Sequence, residues 1–422
     1  MKFMAAGMAL FTAGISSGVG AEQAVHGPVA VYWMSAATTS GIMGSVMGGS
    51  SPGGRPDARS MMGMALGGAQ NPNAFSHSLL LQLGSSHSPA GQPPAAEHDP
   101  PVELGAGSVL PLVSPAPQAP AVHQEAEPGP PPQYRQPHGR MLIFWGCGEH
   151  AGPGQPVVID FASLGQGGAQ KMMELSRGLG VTPMQPPSPL RNTSYGEWPN
   201  AQSDTQVPPD GSLQGAHRVH GNYSPDINFN LAANQDFLPP FRLTANEKLS
   251  SGAANLAWRP VDGAAAYAAT MIGAQGRDEV VMWTSSATQA AAFALPDYLS
   301  DHEIARLVAA RTLMGSAQTS CPIPSEAVQA AGRSGFFNLV AYGDETNIAY
   351  PPRPPPPQPW NIVWEVKVRY RSATSGIVGM DMSRMMGRGN AGPRDQDQPP
   401  PPPPPKRHGF LPNIGDLVPI PH

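Results

Sequence analysis

Charge is scarce in this 422-residue chain. Asp, Glu, Lys and Arg together make 13% of it, about half the share of an ordinary globular domain. The 25 basic residues stand against 30 acidic ones, for a net charge of −5. No broad basic field is implied, so nucleic acid is not an expected partner. Aromatic residues make only 7%, which limits how much of the chain can bury a core. Cysteine occurs twice, as Cys147 and Cys321. Two thiols are too few for a thiolate zinc site, and their spacing excludes a C-x-x-C redox pair. Past the first residues no apolar run approaches bilayer length, so no transmembrane segment is expected in the mature chain. Regular alternating segments are also too few for an outer-membrane barrel. What the chain has in excess is backbone punctuation: 48 glycines and 52 prolines, about twice the usual combined share.

The start reads as a signal peptide over residues 1–21. Lys2 supplies the basic flank, Phe3 to Phe11 a short apolar run, and Val19-Gly20-Ala21 the small residues of a cleavage site. Export places the two cysteines where an even count favours a bridge. Residues 22–85 hold a strand at Pro28–Met34, which could add to a sheet edge, and then a Gly/Met-rich segment. Beyond that segment, which runs over Ser35–Gly68, Ser76–Leu83 fits either a strand or a short helical stretch. Residues 86–137 read as a disordered Pro-rich linker, because proline removes donors and restricts its neighbours. The main β-rich domain is expected at 138–380, with a Pro-rich insertion at 183–209. Residues 381–422, with seven consecutive prolines at 399–405, read as a disordered tail.

Inside the main domain, strands are expected at Arg140–Trp145, Pro156–Phe161, Arg242–Thr244, Phe336–Tyr342 and Ile362–Tyr370, with a short helix at Lys171–Gly178. Asn255–Ser286 reads as three strands separated by turns. The alternation over Ile362–Tyr370 sends Val363, Glu365, Lys367 and Arg369 one way. It sends Ile362, Trp364, Val366, Val368 and Tyr370 into a core. Asp297–Met314 carries a helix whose Ser300 caps it and whose Glu303 stands at the capping-box position. The resulting fold class is mainly β: an embellished antiparallel β-sandwich with one packed helix, flanked by long disordered Gly/Pro-rich segments. An internal echo links Ser35–Gly44 (SAATTSGIMG) with Ser372–Gly379 (SATSGIVG), two segments whose parent strands could be neighbours.

Chemistry is hard to find. No P-loop, dinucleotide fingerprint, H-E-x-x-H or G-x-S-x-G motif is present. Glu149 and His150, with Asp160 on the neighbouring strand, offer a base without a nucleophile. His217, His220 and Asp226 offer nitrogen and oxygen ligands at loose spacing. The methionines at 61, 62, 64, 380, 382, 385 and 386 suit a soft metal, but serve equally as flexible apolar filler. Trp198, Tyr223, Trp283 and Trp360 could form an aromatic platform or anchor proline-rich loops. Asn192-Thr193-Ser194 matches a glycosylation acceptor. None of these is assigned as a catalytic, cofactor or metal site, and no cofactor is expected.

The pattern Leu256, Trp258, Val261, Gly263, Ala264 and Tyr267 resembles the first core strands of a fibronectin type III-like domain. That resemblance covers about 30 residues and implies that Trp258 and Tyr267 are core residues between two sheets. The wider chain looks like a secreted proteobacterial protein. Such domains serve adhesion, spacing or binding, so the expectation is a secreted or periplasmic structural or interaction protein with a protein or carbohydrate partner. Two alternatives stand beside it. One is a loop-based hydrolase or carbohydrate-active enzyme using carboxylates such as Glu149, Asp160 or Glu345. The other is a periplasmic metal-handling protein.

Overall fold

The computed structural model describes residues 27–42, 74–115, 139–161, 179–203, 205–276, 278–289, 295–332, 335–356 and 358–380. The expected signal, the helix at Lys171–Gly178, the methionines at 61, 62, 64, 382, 385 and 386, and the segment from 381 onward lie outside these residues. In chain order the strands are β1 (Ala30–Ser40), β2 (Phe75–Ser85), β3 (Ala96–Asp99), β4 (Leu110–Leu112), β5 (Arg140–Trp145) and β6 (Val157–Asp160). Next come β7 (Ser194–Trp198), β8 (Gly215–Gly221), β9 (Ile227–Leu231), β10 (Leu243–Lys248), β11 (Ala254–Trp258), β12 (Ala264–Gln275) and β13 (Glu279–Thr284). Helix α1 (Asp301–Ala309) precedes β14 (Met314–Gly315) and β15 (Ser320–Ile323). Helix α2 (Ser325–Ala331) is followed by the two longest strands, β16 (Phe336–Tyr350) and β17 (Trp364–Ile377).

A 10-stranded sheet runs β6-β5-β13-β12-β16-β17-β1-β2-β7, with β14 attached to β12. A three-stranded sheet, β10-β11-β15, and a four-stranded sheet, β4-β3-β8-β9, accompany it. The fold is thus mainly β, but the large sheet is mixed. β1 runs parallel to β17, and β5 parallel to β13. Parallel neighbours need a long crossover rather than a hairpin, and the chain between β1 and β17 contains every other strand. The expectation of an antiparallel sheet is corrected on this point.

The inner face of the large sheet carries Tyr32, Met34, Leu81, Leu83, Tyr267, Met271, Trp283, Phe337, Leu339, Val366 and Val368, all 0 to 1% exposed. Tyr32 meets His98 and Phe229 of the four-stranded sheet. At the other side Trp258 of the three-stranded sheet meets Tyr267 edge-on, with centroids 5.4 Å apart. Tyr267 also accepts a hydrogen bond from Val261 N at 2.9 Å, in a buried setting. Substituting Tyr267→Phe keeps the ring and orphans that donor, so we expect a loss of about 1–3 kcal/mol. Urea unfolding measures it, and an unchanged midpoint would show that Val261 N has another acceptor. The outer face is covered in patches. Leu299, Ile304 and Leu307 of α1 and the residues before it pack on Ala266, Ala268 and Tyr342. Leu179 packs on Ile143 and Ile159.

Helix α1 starts where Ser300 accepts from Glu303 N at 3.3 Å. It ends at Ala309, earlier than the sequence pattern suggests, because Arg311 turns to φ 57°, outside the helical region. A second helix, α2, was not expected.

Three expectations about boundaries change. β1 is not an edge strand but sits between β17 and β2. The 86–137 linker contains β3 and β4, with Ala96, Leu104, Leu110 and Leu112 buried. The 183–209 insertion contains β7, which closes one edge of the large sheet. The echo segments lie side by side: Ser40 pairs with Thr374, and Gly41 bridges to Ser375. Gly41 has φ 70°, and a Cβ there would lie 2.3 Å from Ser375 O, so glycine is required at that close approach.

Candidate functional site

β17 alternates half-buried and buried positions from Trp364 to Arg371. Glu365, Lys367, Arg369 and Arg371 therefore share the outer face. Register places Trp33, Ser35 and Ala37 of β1 beside Lys367, Arg369 and Arg371. Gln82, Leu80 and Ser78 of β2 come next on the same face. A cleft of about 480 Å³ opens over it, within the range typical of ligand sites. Its floor is Ser35, Ala37, Ser78, Arg369 and Arg371. Its walls are Leu79 and Leu80, Pro183, Met184 and Pro186, Pro199, and Pro296 to Tyr298.

Arg369 is the centre of this arrangement. Its guanidinium lies 4.5 Å from the Tyr298 ring centroid and 4.9 Å from that of Trp33, in range for cation–π attraction. Its Nε donates to Ser35 Oγ at 2.8 Å. Among the described residues no carboxylate pairs with it directly. Burial pushes its guanidinium below the ordinary value, opposed by Tyr298 and then Asp297. Tyr298 is pushed up to about 12 by burial, against the pull of Arg371 and Arg369.

The neighbouring cations are paired. Arg371 Nη1 bonds Asp297 Oδ1, and Lys367 Nζ bonds Glu345 Oε2. Lys367 also lies 5.6 Å from the Trp33 ring, and burial lowers its ammonium pKa. Asp301 accepts from Glu345 N at 2.8 Å, and burial raises its carboxyl. Two buried donors, Arg371 Nε and Trp33 Nε1, have no acceptor among the described residues, and Glu345 Oε1 has no donor. The cleft thus combines two guanidiniums with apolar walls.

The residues singled out from sequence do not converge. Glu149 and His150 follow the end of β5, whereas Asp160 pairs with Arg140 at its start, about 17 Å away along the strand. Glu345 belongs to the cationic face. The structure instead brings Ser325 and Glu326 of α2 to His150. Ser325 Oγ and Glu326 Oε1 both approach Nδ1, at 3.2 and 3.3 Å. A serine–histidine–acid relay needs the nucleophile and the acid on opposite ring nitrogens, so this exposed cluster is not one.

His217 and His220 are three apart on strand β8 and face opposite ways. His220 lies 3.2 Å from Asp99, and Asp226 pairs with Arg218 at 2.9 Å. Among the described residues no group of three or more His, Cys, Asp or Glu side chains is placed to hold a metal. His217 belongs to a buried chain. Its Nε2 reaches Leu213 O at 2.7 Å, its Nδ1 lies 2.9 Å from His98 Nε2, and His98 Nδ1 lies 2.6 Å from Tyr32 Oη.

Trp198, Tyr223 and Trp283 are 0 to 2% exposed and form no surface platform. Trp360 is half-buried beneath Arg353 and donates to Pro351 O at 2.8 Å. Asn192 Oδ1 accepts from Ser188 N at 3.0 Å. Met380, the described member of the methionine set, is exposed.

No sequence pattern marks Tyr298, Asp297 or Trp33 as site residues, and the strand alternation marks Arg369 only as outward-facing. The available signal was the charge at each second position from Glu365 to Arg371. Cys147 and Cys321 are bridged. No helix among the described residues is long and apolar enough to cross a membrane. No protein-family model, curated protein or solved structure matches the chain.

Proposed function

We propose that this chain is a secreted or periplasmic interaction protein, and that the Arg369 cleft receives a carboxylate of a protein partner. The observation that carries this is the half-buried Arg369 guanidinium, seated between two aromatic rings with a serine and, among the described residues, no acid directly paired to it. A guanidinium in that position is pre-organised for a carboxylate. The proline, leucine and methionine walls offer few hydrogen-bonding groups to a sugar, and favour apolar residues flanking an acidic one. The Cys147–Cys321 bridge supports the compartment, since disulfides persist where thiols are not kept reduced.

The test uses two probes, acetyl-Ala-Leu-Glu-Leu-Ala-amide and its Gln counterpart, with calorimetric titration of the purified chain. The Glu peptide should bind at least tenfold more tightly than the Gln peptide. Arg369→Met should remove that preference while leaving the melting temperature within a few degrees. Equal affinity for the two peptides, or an Arg369→Met variant that binds like the parent, sinks the reading.

A further inference from the structure

Asp297 occupies an unusual position in the cleft. It is the one acid among the described residues lining it, its side chain is 76% exposed, and it bonds the 23%-exposed Arg371. Its charge also acts on Arg369, where it opposes the effect of burial. Arg369 and Arg371 repel one another, being two residues apart on one face of β17 and so about 6.6 Å along the strand. One exposed carboxylate therefore compensates two guanidiniums at the floor of an apolar cleft.

We infer that Asp297 is a built-in competitor: its carboxylate holds the place on Arg371 that the partner's carboxylate takes, and entry of the partner displaces it to solvent. This rests on the proposed reading of the cleft as a carboxylate receptor. The geometry suits exchange. Asp297 lies on the segment leading into α1, not on a sheet strand. Arg371, by contrast, is fixed in the sheet between β16 and β1. Displacement costs the acid little, because most of its side chain is already hydrated, and the Arg371 Nη1 that it leaves stays at the cleft floor to take the incoming acid. Asp297 then sets an affinity threshold: weakly acidic or badly flanked groups fail to evict it.

Five proteins are titrated with the same Glu peptide: the parent, Arg369→Met, Asp297→Asn, Arg371→Met, and Asp297→Asn combined with Arg371→Met. Asp297→Asn should bind at least fivefold more tightly than the parent. That gain should vanish in the Arg371→Met background, because the competitor acts through Arg371. Thermal melting of each variant confirms that the cleft is folded. Parent binding that is lost in Arg369→Met, with Asp297→Asn equal to or weaker than the parent, overturns the competitor and leaves the receptor standing. A gain that persists without Arg371 also overturns it, since the effect would then be one of net charge. A parent and an Asp297→Asn variant that both ignore the peptide overturn both statements.

Discussion

Replacing both Cys147 and Cys321 by alanine should lower the unfolding free energy by about 3–5 kcal/mol. The bridge spans 174 residues, a loop whose closure costs the unfolded chain about 5 kcal/mol on the chain-entropy model. It also joins two layers. Cys147 follows β5 of the large sheet, and Cys321 is a fully buried residue of β15 in the three-stranded sheet. Around it, Gly148 N donates to Pro322 O at 3.0 Å and Ser325 N to Glu149 O at 2.9 Å. These bonds persist without the sulfurs, so the folded state retains its shape and the loss comes mainly from the freed unfolded chain. Guanidinium unfolding of the parent, the double variant and the reduced parent is the measurement. The last two should coincide, and the double variant should not respond to reductant. Superimposable curves for parent and variant would refute the claim.

The parts of the fold legible in sequence were those where one local rule had no competitor. The alternation over Trp364–Tyr370 survives intact, because β17 is an interior strand with a core on one face. Ser300 caps α1 as its position implies. Trp258 and Tyr267 are buried at 2% and 0% exposure. What escaped was structure hidden under proline. β4 contains Pro111 and β15 contains Pro322, yet each lies at the end of its sheet, where a missing donor is tolerated. β7 ends at Trp198, just before Pro199, and is likewise an edge. Proline-rich composition was therefore a poor guide to disorder wherever an edge strand was available. The candidate cleft was illegible for a different reason. Its floor comes from β1, β2 and β17 and its walls from β2, from 183–199 and from 296–298, and no local pattern tells that these segments meet. The paired register of β1 and β17 puts Trp33 and Ser35 beside Lys367 and Arg369, a contact across more than 330 positions.

Acid should destabilise this protein well before its carboxylates titrate, because the Tyr32–His98–His217 chain requires neutral histidines. The proton positions follow from the acceptor at its end. Leu213 O can only accept, so His217 Nε2 carries a proton and its Nδ1 is left as an acceptor. His98 Nε2 must then donate to it, which leaves His98 Nδ1 to accept from the Tyr32 hydroxyl. Tyr32 and His98 are 0% exposed and His217 2%. His98 is held well below the ordinary histidine value by burial and then by His217, and His217 is lowered by burial against the pull of Leu213 O. His77, stacked on Phe237 at 4.0 Å, is also lowered by burial, with Asp236 foremost among the opposing influences. Tyr32 is raised well above its usual value by burial and then Tyr223, so it stays a neutral donor.

A depressed histidine takes up its proton more readily in the unfolded chain. Its contribution is therefore complete above about pH 6.5 and is lost as the pH falls below that value, at about 1.4 kcal/mol per pH unit for each proton bound only on unfolding. Asp301, Asp344 and Glu365, raised by burial, pull the other way at lower pH, so a difference between variants isolates the histidine effect. His98→Gln supplies one donor and one acceptor without a titrating group, and should reduce the slope of stability between pH 6.5 and 5 by one proton's worth. His98→Leu orphans both Tyr32 Oη and His217 Nδ1, and should cost about 2–5 kcal/mol at neutral pH. Urea midpoints measured across pH 5 to 8 decide it. A parent whose stability is flat over that range, or a His98→Gln variant with an unchanged slope, would mean that the buried pair is not held neutral.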